Sequence, residues 1–269
     1  MSARSGPKTD TATVHLHVFG QDREISFPVR VGPSALRDLL PAARELSRRV
    51  SALAVAHARA EGRSVSCAAG CAACCHHLIP ISSVEAVALA KIVAAMRPAR
   101  RAALRARFAA AVKRMEELGL LDPAAPRGRA ALLGQPAPGE TAWEHVSRRY
   151  FEARIPCPFL EDKRCGVYEH RPIVCREYQV TSPASLCDRL TADVRDVERP
   201  IRAGDALGAA AAEIAGVDGH IPLALALEWA EAHGQALEGT RDGEELFWAL
   251  LGKLDGDTRT PFDERNGER

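Results

Sequence analysis

Hydrophobic and polar residues alternate along the first part of the chain. The apolar positions of this pattern are Val14, Leu16, Val18, Ile25, Phe27, Val29 and Val31. A period of two is typical of a half-buried strand, and the polar segment Gly20-Gln21-Asp22 divides the pattern into two runs. The pattern therefore predicts an N-terminal β-hairpin, with His15 and His17 on its solvent-facing side.

Beyond the hairpin, the apolar residues recur at intervals of three and four. They are Leu36, Leu39, Leu40, Ala43, Leu46, Val50 and Leu53. This spacing predicts a helix from Ser34 to about Ala60, with a kink at Pro41. Gly62 follows at the position where a helix commonly ends.

Two capping-box patterns predict the starts of further helices. Ser82 and Glu85 precede a helix that runs to Met96, and Thr141 and Glu144 precede one that ends near Arg154. Between them we expect a basic helix over residues 100–118 and a Pro- and Gly-rich loop over residues 122–140.

The last third of the chain returns to helical periodicity. We expect helices over residues 205–215, 222–233 and 244–254, with Trp229, Phe247 and Trp248 in the core. Residues 255–269 are polar and predict a flexible tail.

Together these patterns predict a mainly α fold with a small N-terminal β-hairpin (α+β), whose helices surround an irregular centre that contains all eight cysteines of the chain. Cysteines clustered in this way are typical metal ligands, so we expect metal to hold this cysteine-rich centre together. We expect a hairpin and helix in residues 1–63 and a metal-chelating domain in residues 64–190. A helical segment over residues 191–254 and the tail complete the chain.

The candidate chemistry lies in the eight cysteines, which fall into two clusters. Cys67, Cys71, Cys74 and Cys75 form the first, with C-x3-C-x2-C-C spacing, and Cys157, Cys165, Cys175 and Cys187 form the second. The second cluster lies in a segment rich in turn-forming residues. Thiols at such short spacing converge on one point, which is typical of a metal site.

Buried or disulfide-bonded cysteines are the alternative interpretation. The N-terminus has no apolar signal core, and the chain has no run of about 18 apolar residues that could span a membrane. We therefore expect a cytoplasmic protein with no membrane partner, in a reducing compartment that favours metal ligands over disulfides.

The overall charge gives no sign of a polyanionic partner. Lys and Arg total 36 and Asp and Glu total 35, while aromatic residues make up 5% of the chain. This balance argues against nucleic-acid binding.

The ordered motifs around the cysteines resemble those of a bacterial cysteine-cluster family of zinc- or iron-chelating domains, to which flagellin lysine N-methylases belong. The matching residues after the first cluster are Cys157-Pro158-Phe159-Leu160, Cys165, Tyr168, Arg171-Pro172 and Cys175-Arg176. The resemblance covers about residues 64–190. It implies that Cys67, Cys71, Cys74, Cys75, Cys157, Cys165 and Cys175 chelate the metal, whereas Cys187 lies beyond the part that aligns residue by residue.

The metal itself is open between zinc and iron. Two tetrahedral zinc sites would use all eight thiolates. We expect the adjacent side chains of Cys74 and Cys75 to diverge, which favours an iron–sulfur cluster because several irons accept ligands from different sides. His76 and His77 are expected near the metal or at the surface rather than as ligands.

Three functions follow from these observations, and the sequence leaves open whether the protein is an enzyme. The first is a metal-binding protein that holds an iron–sulfur cluster or zinc. The second is an iron–sulfur, S-adenosylmethionine-dependent protein N-methylase, with Tyr168, Arg171, Arg176 and Glu177 near the cofactor and a protein as substrate. The third is a zinc-stabilised module that binds nucleic acid or protein.

The spacing of three cysteines bears on the second function. Cys67, Cys71 and Cys74 have the spacing found in radical S-adenosylmethionine enzymes, although no strand–helix alternation or glycine-rich loop accompanies it. The first function, metal binding, needs only the cysteines, so we prefer it.

Overall fold

The computed structural model describes residues 8–128, 132–133, 136 and 138–254. Its strands are β1 (Thr9–Val18), β2 (Gln21–Arg30), β3 (Pro33–Ala35), β4 (Pro80–Ser82), β5 (Leu160–Glu161), β6 (Arg164–Cys165), β7 (His220–Pro222) and β8 (Thr240–Asp242). Its α-helices are α1 (Leu40–Ala60), α2 (Ser83–Ala94), α3 (Pro98–Glu117), α4 (Ala142–Glu152), α5 (Val174–Glu177), α6 (Ala203–Ala215), α7 (Ala226–His233) and α8 (Gly243–Leu251).

The N-terminal hairpin is present as predicted, but its turn is shorter. β1 and β2 pair antiparallel, and the turn consists of Phe19 and Gly20, whose φ angles are 53° and 68°. Two consecutive positive φ angles match the right-handed twist of a hairpin, so two residues suffice for the turn. Gln21 and Asp22, which the sequence placed in the turn, therefore belong to β2.

The first long helix begins later than predicted. Pro33–Ala35 forms strand β3, and Leu36–Leu39 forms one 3₁₀ turn before α1 starts. Pro41 lies in the first turn of α1, where a missing backbone N–H breaks no helical hydrogen bond. The proline therefore starts the helix, and the predicted kink at this residue is wrong.

Short strand pairs join the two ends of the chain. β3 pairs with β8, and β4 pairs with β7, each antiparallel over three residues. The sequence did not predict them, because three residues are too few to display a period of two. They place α6, α7 and α8 against α1 and α2 in a single hydrophobic core that extends from Val14 to Leu251.

The predicted aromatic core is correct at two of three positions. Trp229 and Phe247 are buried, whereas Trp248 is 56% exposed. Phe247, Leu250 and Leu251 lie on the buried face of α8. Trp248, one position after Phe247, therefore lies on the opposite face and is exposed to solvent.

The mainly α fold with its small hairpin is thus confirmed. None of the described helices is both long and apolar enough to cross a membrane. The division of the chain at residues 63 and 190 stays a prediction, and the predicted tail, residues 255–269, lies outside the described residues.

Candidate metal centre

The first cysteine cluster forms a series of tight turns between α1 and β4. The backbone N–H groups of Cys71, Cys75 and His77 donate to the carbonyl groups three residues earlier, at 3.0, 3.0 and 3.1 Å. Gly70, with φ of 88°, permits the reversal of the chain between the first two cysteines. Three cysteines of the cluster, Cys71, Cys74 and Cys75, line one cavity, whereas Cys67 does not.

The second cluster reaches the first through direct backbone contacts. The N–H of Cys157 donates to the carbonyl of Cys75 at 2.7 Å, and the N–H of Ser66 donates to the carbonyl of Val180 at 2.9 Å. Segments about eighty residues or more apart in sequence are therefore joined beside the thiols.

A small hairpin positions Cys165. β5 and β6 pair so that Cys165 lies opposite Leu160, and the turn between them is formed by Asp162 and Lys163. Both turn residues have positive φ, at 45° and 60°, as a two-residue hairpin turn requires. The hairpin folds Cys165 back toward Cys157.

Cys175 lies on the short helix α5, whose start is fixed by a buried carboxylate. Glu85, 2% exposed, accepts a hydrogen bond from the N–H of Ile173 at 2.7 Å. The same side chain also accepts from the N–H and hydroxyl of Ser82 at 3.1 and 2.8 Å. The N-terminus of α2 and the start of α5 therefore share one carboxylate.

Cys187 lies in a 3₁₀ turn and is 4% exposed. Its carbonyl group is hydrogen-bonded to Nε2 of His77 at 2.9 Å, and the His77 ring lies 4.6 Å from that of Phe151. His77 thus joins the two clusters through the backbone of Cys187. The neighbouring His76 has a buried Nδ1 without a partner among the described residues, and burial lowers its pKa.

Two neighbouring cavities collect the thiols. One cavity of about 420 Å³, here called the thiol cavity, is lined by six cysteines: Cys71, Cys74, Cys75, Cys157, Cys165 and Cys175. A second cavity of about 450 Å³, the adjoining cavity, is lined by Cys74, Cys175 and Cys187 together with His77, Tyr178 and Asp196. Cys74 and Cys175 separate the two cavities. All eight cysteines are free thiols.

Cys67 lines neither cavity but lies within electrostatic reach of Cys71 and Cys74. Cys74 and Cys75, whose side chains are expected to diverge, both line the thiol cavity.

The surroundings of six of the eight thiols raise the thiol pKa and so favour the protonated form. Burial raises the pKa of Cys157 to about 12 and that of Cys187 to about 11, with nearby thiols adding to both shifts. Burial also raises the pKa values of Cys67, Cys165 and Cys175, and the hydrogen bond with Cys75 raises that of Cys74. A cation among the thiols reverses this preference, because metal binding displaces the thiol protons.

The donor set fits zinc or iron, both of which take thiolate ligands. In the part of the chain that the structure describes, no group of three His, Cys, Asp or Glu side chains could hold a metal ion as it stands. Tetrahedral zinc requires sulfur atoms about 3.8 Å apart around one point. The thiols instead surround a wider space, so they must draw together around whatever they bind.

The predicted cofactor residues fall into different surroundings. Tyr168 and Arg171 line the thiol cavity. Arg176 is not among the residues that line either cavity; it donates to the carbonyl groups of Arg171 and Glu169 at 3.1 and 2.6 Å. Glu177 is 5% exposed and accepts from the N–H of Ala203 at 3.1 Å, and burial raises its pKa to about 7. Arg176 therefore holds the backbone that precedes α5, and Glu177 holds the start of α6.

The sequence missed one important contributor to this site. The capping box identified Glu85 as a helix-start residue, and that role is correct. Its contact with Ile173 had no signal in the sequence, because the two residues are joined only by the fold.

A comparison with protein families agrees with this geometry. The sequence model of the CxxCxxCC family, described as "Putative zinc- or iron-chelating domain", matches residues 66–197. The match spans both cysteine clusters, from Cys67 to Cys187, and so includes the cysteine that lay beyond the residue-by-residue resemblance. No curated protein and no solved structure matches the chain.

Proposed function

We propose that this protein binds iron as an iron–sulfur cluster in the thiol cavity, and the match of residues 66–197 to the model of a zinc- or iron-chelating domain family supports metal binding there. The observation that carries the proposal is the convergence of six free thiols, from two distant segments, on one cavity. Cys71, Cys74, Cys75, Cys157, Cys165 and Cys175 are the candidate ligands there. Cys67 and Cys187 do not line the thiol cavity but lie near it, and they are the remaining two candidate ligands.

The number and spread of the thiols support iron over zinc. One zinc ion takes four ligands at a single point, whereas six thiols line this cavity. An iron–sulfur cluster accepts ligands at several irons, and when bound it supplies one-electron redox chemistry. The eight free thiols also support a reducing compartment such as the cytoplasm.

The test is an absorption spectrum of protein purified without oxygen, with iron, sulfide and zinc quantified on the same sample. We expect a brown protein with a broad band near roughly 400 nm and iron matched by sulfide. A colourless protein with stoichiometric zinc would contradict the proposed cluster and would indicate a structural zinc site instead. Protein without stoichiometric metal would refute metal binding altogether.

A second candidate function follows from the adjoining cavity. Its volume of about 450 Å³ suits a small organic ligand, and Cys74 and Cys175 are common to both cavities. This arrangement supports an S-adenosylmethionine-dependent enzyme that acts on a protein, because a co-substrate there would lie beside the thiols. Calorimetry of the anaerobic, cluster-loaded protein with S-adenosylmethionine tests it, and absence of binding heat would contradict it.

The surface of α3 does not favour the third function, a nucleic-acid module. Arg105 pairs with Glu231 at 2.7 Å and Arg114 pairs with Glu117 at 3.2 Å, while Arg107 pairs with Glu161. These acidic partners offset the positive charge that a phosphate backbone would require.

A further inference from the structure

Arg171 lies at the wall of the thiol cavity, in the loop that leads to α5. Its guanidinium carbon is 4.3 Å from the centre of the Tyr168 ring, and both side chains line the cavity with the six thiols. A cation stacked on an aromatic ring is held in place without needing a carboxylate partner. The stacking therefore fixes a positive charge beside the candidate ligands.

One N–H donor of this guanidinium is unsatisfied. The Nε of Arg171 is buried and has no hydrogen-bond partner in the described part of the chain. A buried donor without an acceptor destabilises the folded state, so native proteins rarely keep one unless a bound group accepts the hydrogen bond. The same cavity is lined by six thiols, whose sulfur atoms can accept a hydrogen bond.

The charge of Arg171 acts on thiols from both clusters. It lies within electrostatic reach of Cys67 and Cys74 from the first cluster and of Cys165 from the second. One guanidinium therefore interacts with candidate ligands that are far apart in sequence.

We propose that Arg171 is a positioning residue of the metal centre, which donates an N–H to a thiolate or sulfide sulfur in the thiol cavity and offsets the negative charge collected there. This inference rests on the proposed function. Hydrogen bonds and charges around cluster sulfurs set both the reduction potential and the strength of metal retention. Arg171 accordingly stabilises the more negative, reduced state and slows the loss of metal.

Arg164 provides a matched control. It also lines the thiol cavity and lies next to Cys165, but it is exposed on β6, where solvent screens its charge. Replacing Arg164 therefore removes the same charge from the same cavity without removing a buried donor.

The experiment compares wild-type protein with the Arg171→Gln, Arg171→Lys and Arg164→Gln variants, all purified without oxygen. Metal per chain and the rate of metal transfer to excess EDTA are measured for each protein, whichever metal is bound. For iron-loaded protein, the midpoint potential is measured by dithionite titration with mediator dyes.

We expect Arg171→Gln to lose metal about tenfold faster and to shift the reduction equilibrium about tenfold toward the oxidised state, which is about 59 mV for one electron. Arg171→Lys keeps the charge and should recover at least half of each effect. Arg164→Gln should behave as the wild type.

Each outcome has a separate meaning. Wild-type protein without metal would refute the proposed function, whereas loaded protein in which Arg171→Gln retains the wild-type rate and potential would refute this inference alone. Failure of Arg171→Lys to rescue, with an equal loss of melting temperature in metal-free protein, would assign Arg171 a purely structural role. Should Arg171→Gln not fold, Tyr168→Leu removes the exposed ring that holds the guanidinium; faster metal loss is expected, and an unchanged rate would overturn the proposal.

Discussion

At the scale of single residues, Cys74 is the centre of the candidate site. It lines both cavities and lies within electrostatic reach of Cys157, Cys175 and Cys187. The sequence predicted Cys74 as a ligand, but it did not predict that Cys74 lines two cavities. That position depends on Cys175, which only the fold brings next to it.

We predict that Cys74→Ser and Cys175→Ser each reduce the metal content to less than about half. A serine hydroxyl remains protonated and binds zinc or iron weakly, so the melting temperature should fall by about 5 °C. Metal analysis and thermal unfolding of the purified variants measure both effects. Ala73→Ser, in the same loop, adds a hydroxyl without removing a thiol and should leave both values unchanged. Normal values in the two cysteine variants would show that these residues are not ligands.

At the scale of elements, two helices begin with the same capping box but have different neighbours. Glu144 of α4 accepts from the N–H and hydroxyl of Thr141, at 2.8 and 2.9 Å, in an exposed position. Glu85 of α2 makes the equivalent contacts while buried, and also accepts from Ile173. The sequence predicted the two boxes alike, because the third contact depends on a residue far along the chain.

We predict that Glu85→Ala lowers the free energy of unfolding by about 3 kcal/mol, since it leaves the buried N–H of Ile173 without an acceptor. Glu144→Ala, the control, should cost only about 1 kcal/mol, as an exposed cap does. Urea unfolding of both variants measures the difference. Equal losses would show that the contact between α2 and the start of α5 contributes nothing.

At the scale of the whole molecule, the cysteine segments are tied to a core that the rest of the chain builds. β4 pairs with β7, and α2 packs against α7, although β7 and α7 lie beyond the residues that match the family. Residues 66–197 therefore lack part of their own packing.

We predict that residues 66–197 expressed alone do not fold stably, because α2 and β4 would expose their apolar faces. Residues 8–254 should fold cooperatively under the same conditions. Circular dichroism and thermal unfolding of the two fragments compare them. A cooperative transition in the shorter fragment would instead support an independent domain there.

Removal of the metal should loosen the centre of the molecule but not its ends. The two cysteine clusters share few backbone hydrogen bonds, such as that from Cys157 to Cys75, whereas β1 and β2 pair over ten residues each. We therefore expect hydrogen exchange in residues 66–77 and 157–187 to rise about tenfold in metal-free protein, with the β1–β2 hairpin unchanged. Unchanged exchange in both cysteine segments would show that metal does not hold them together.

The sequence by itself determined the elements whose signals are local. Alternation predicted the β1–β2 hairpin, and capping boxes predicted α2 and α4. Thiol spacing predicts which cysteines bind metal, and this ligand set stays a prediction. Each of these patterns depends on residues within a few positions of one another.

The tertiary structure decided what depends on distant partners. It placed Pro41 at the start of α1 rather than at a kink, turned Trp248 outward, and brought Glu85 to Ile173 and Arg171 to the thiols. It also divided the space around the cysteines into two cavities that share Cys74 and Cys175. The physical reason is that burial and side-chain pairing depend on which surfaces pack against each other in the fold. The spacing of residues along the chain does not specify those contacts.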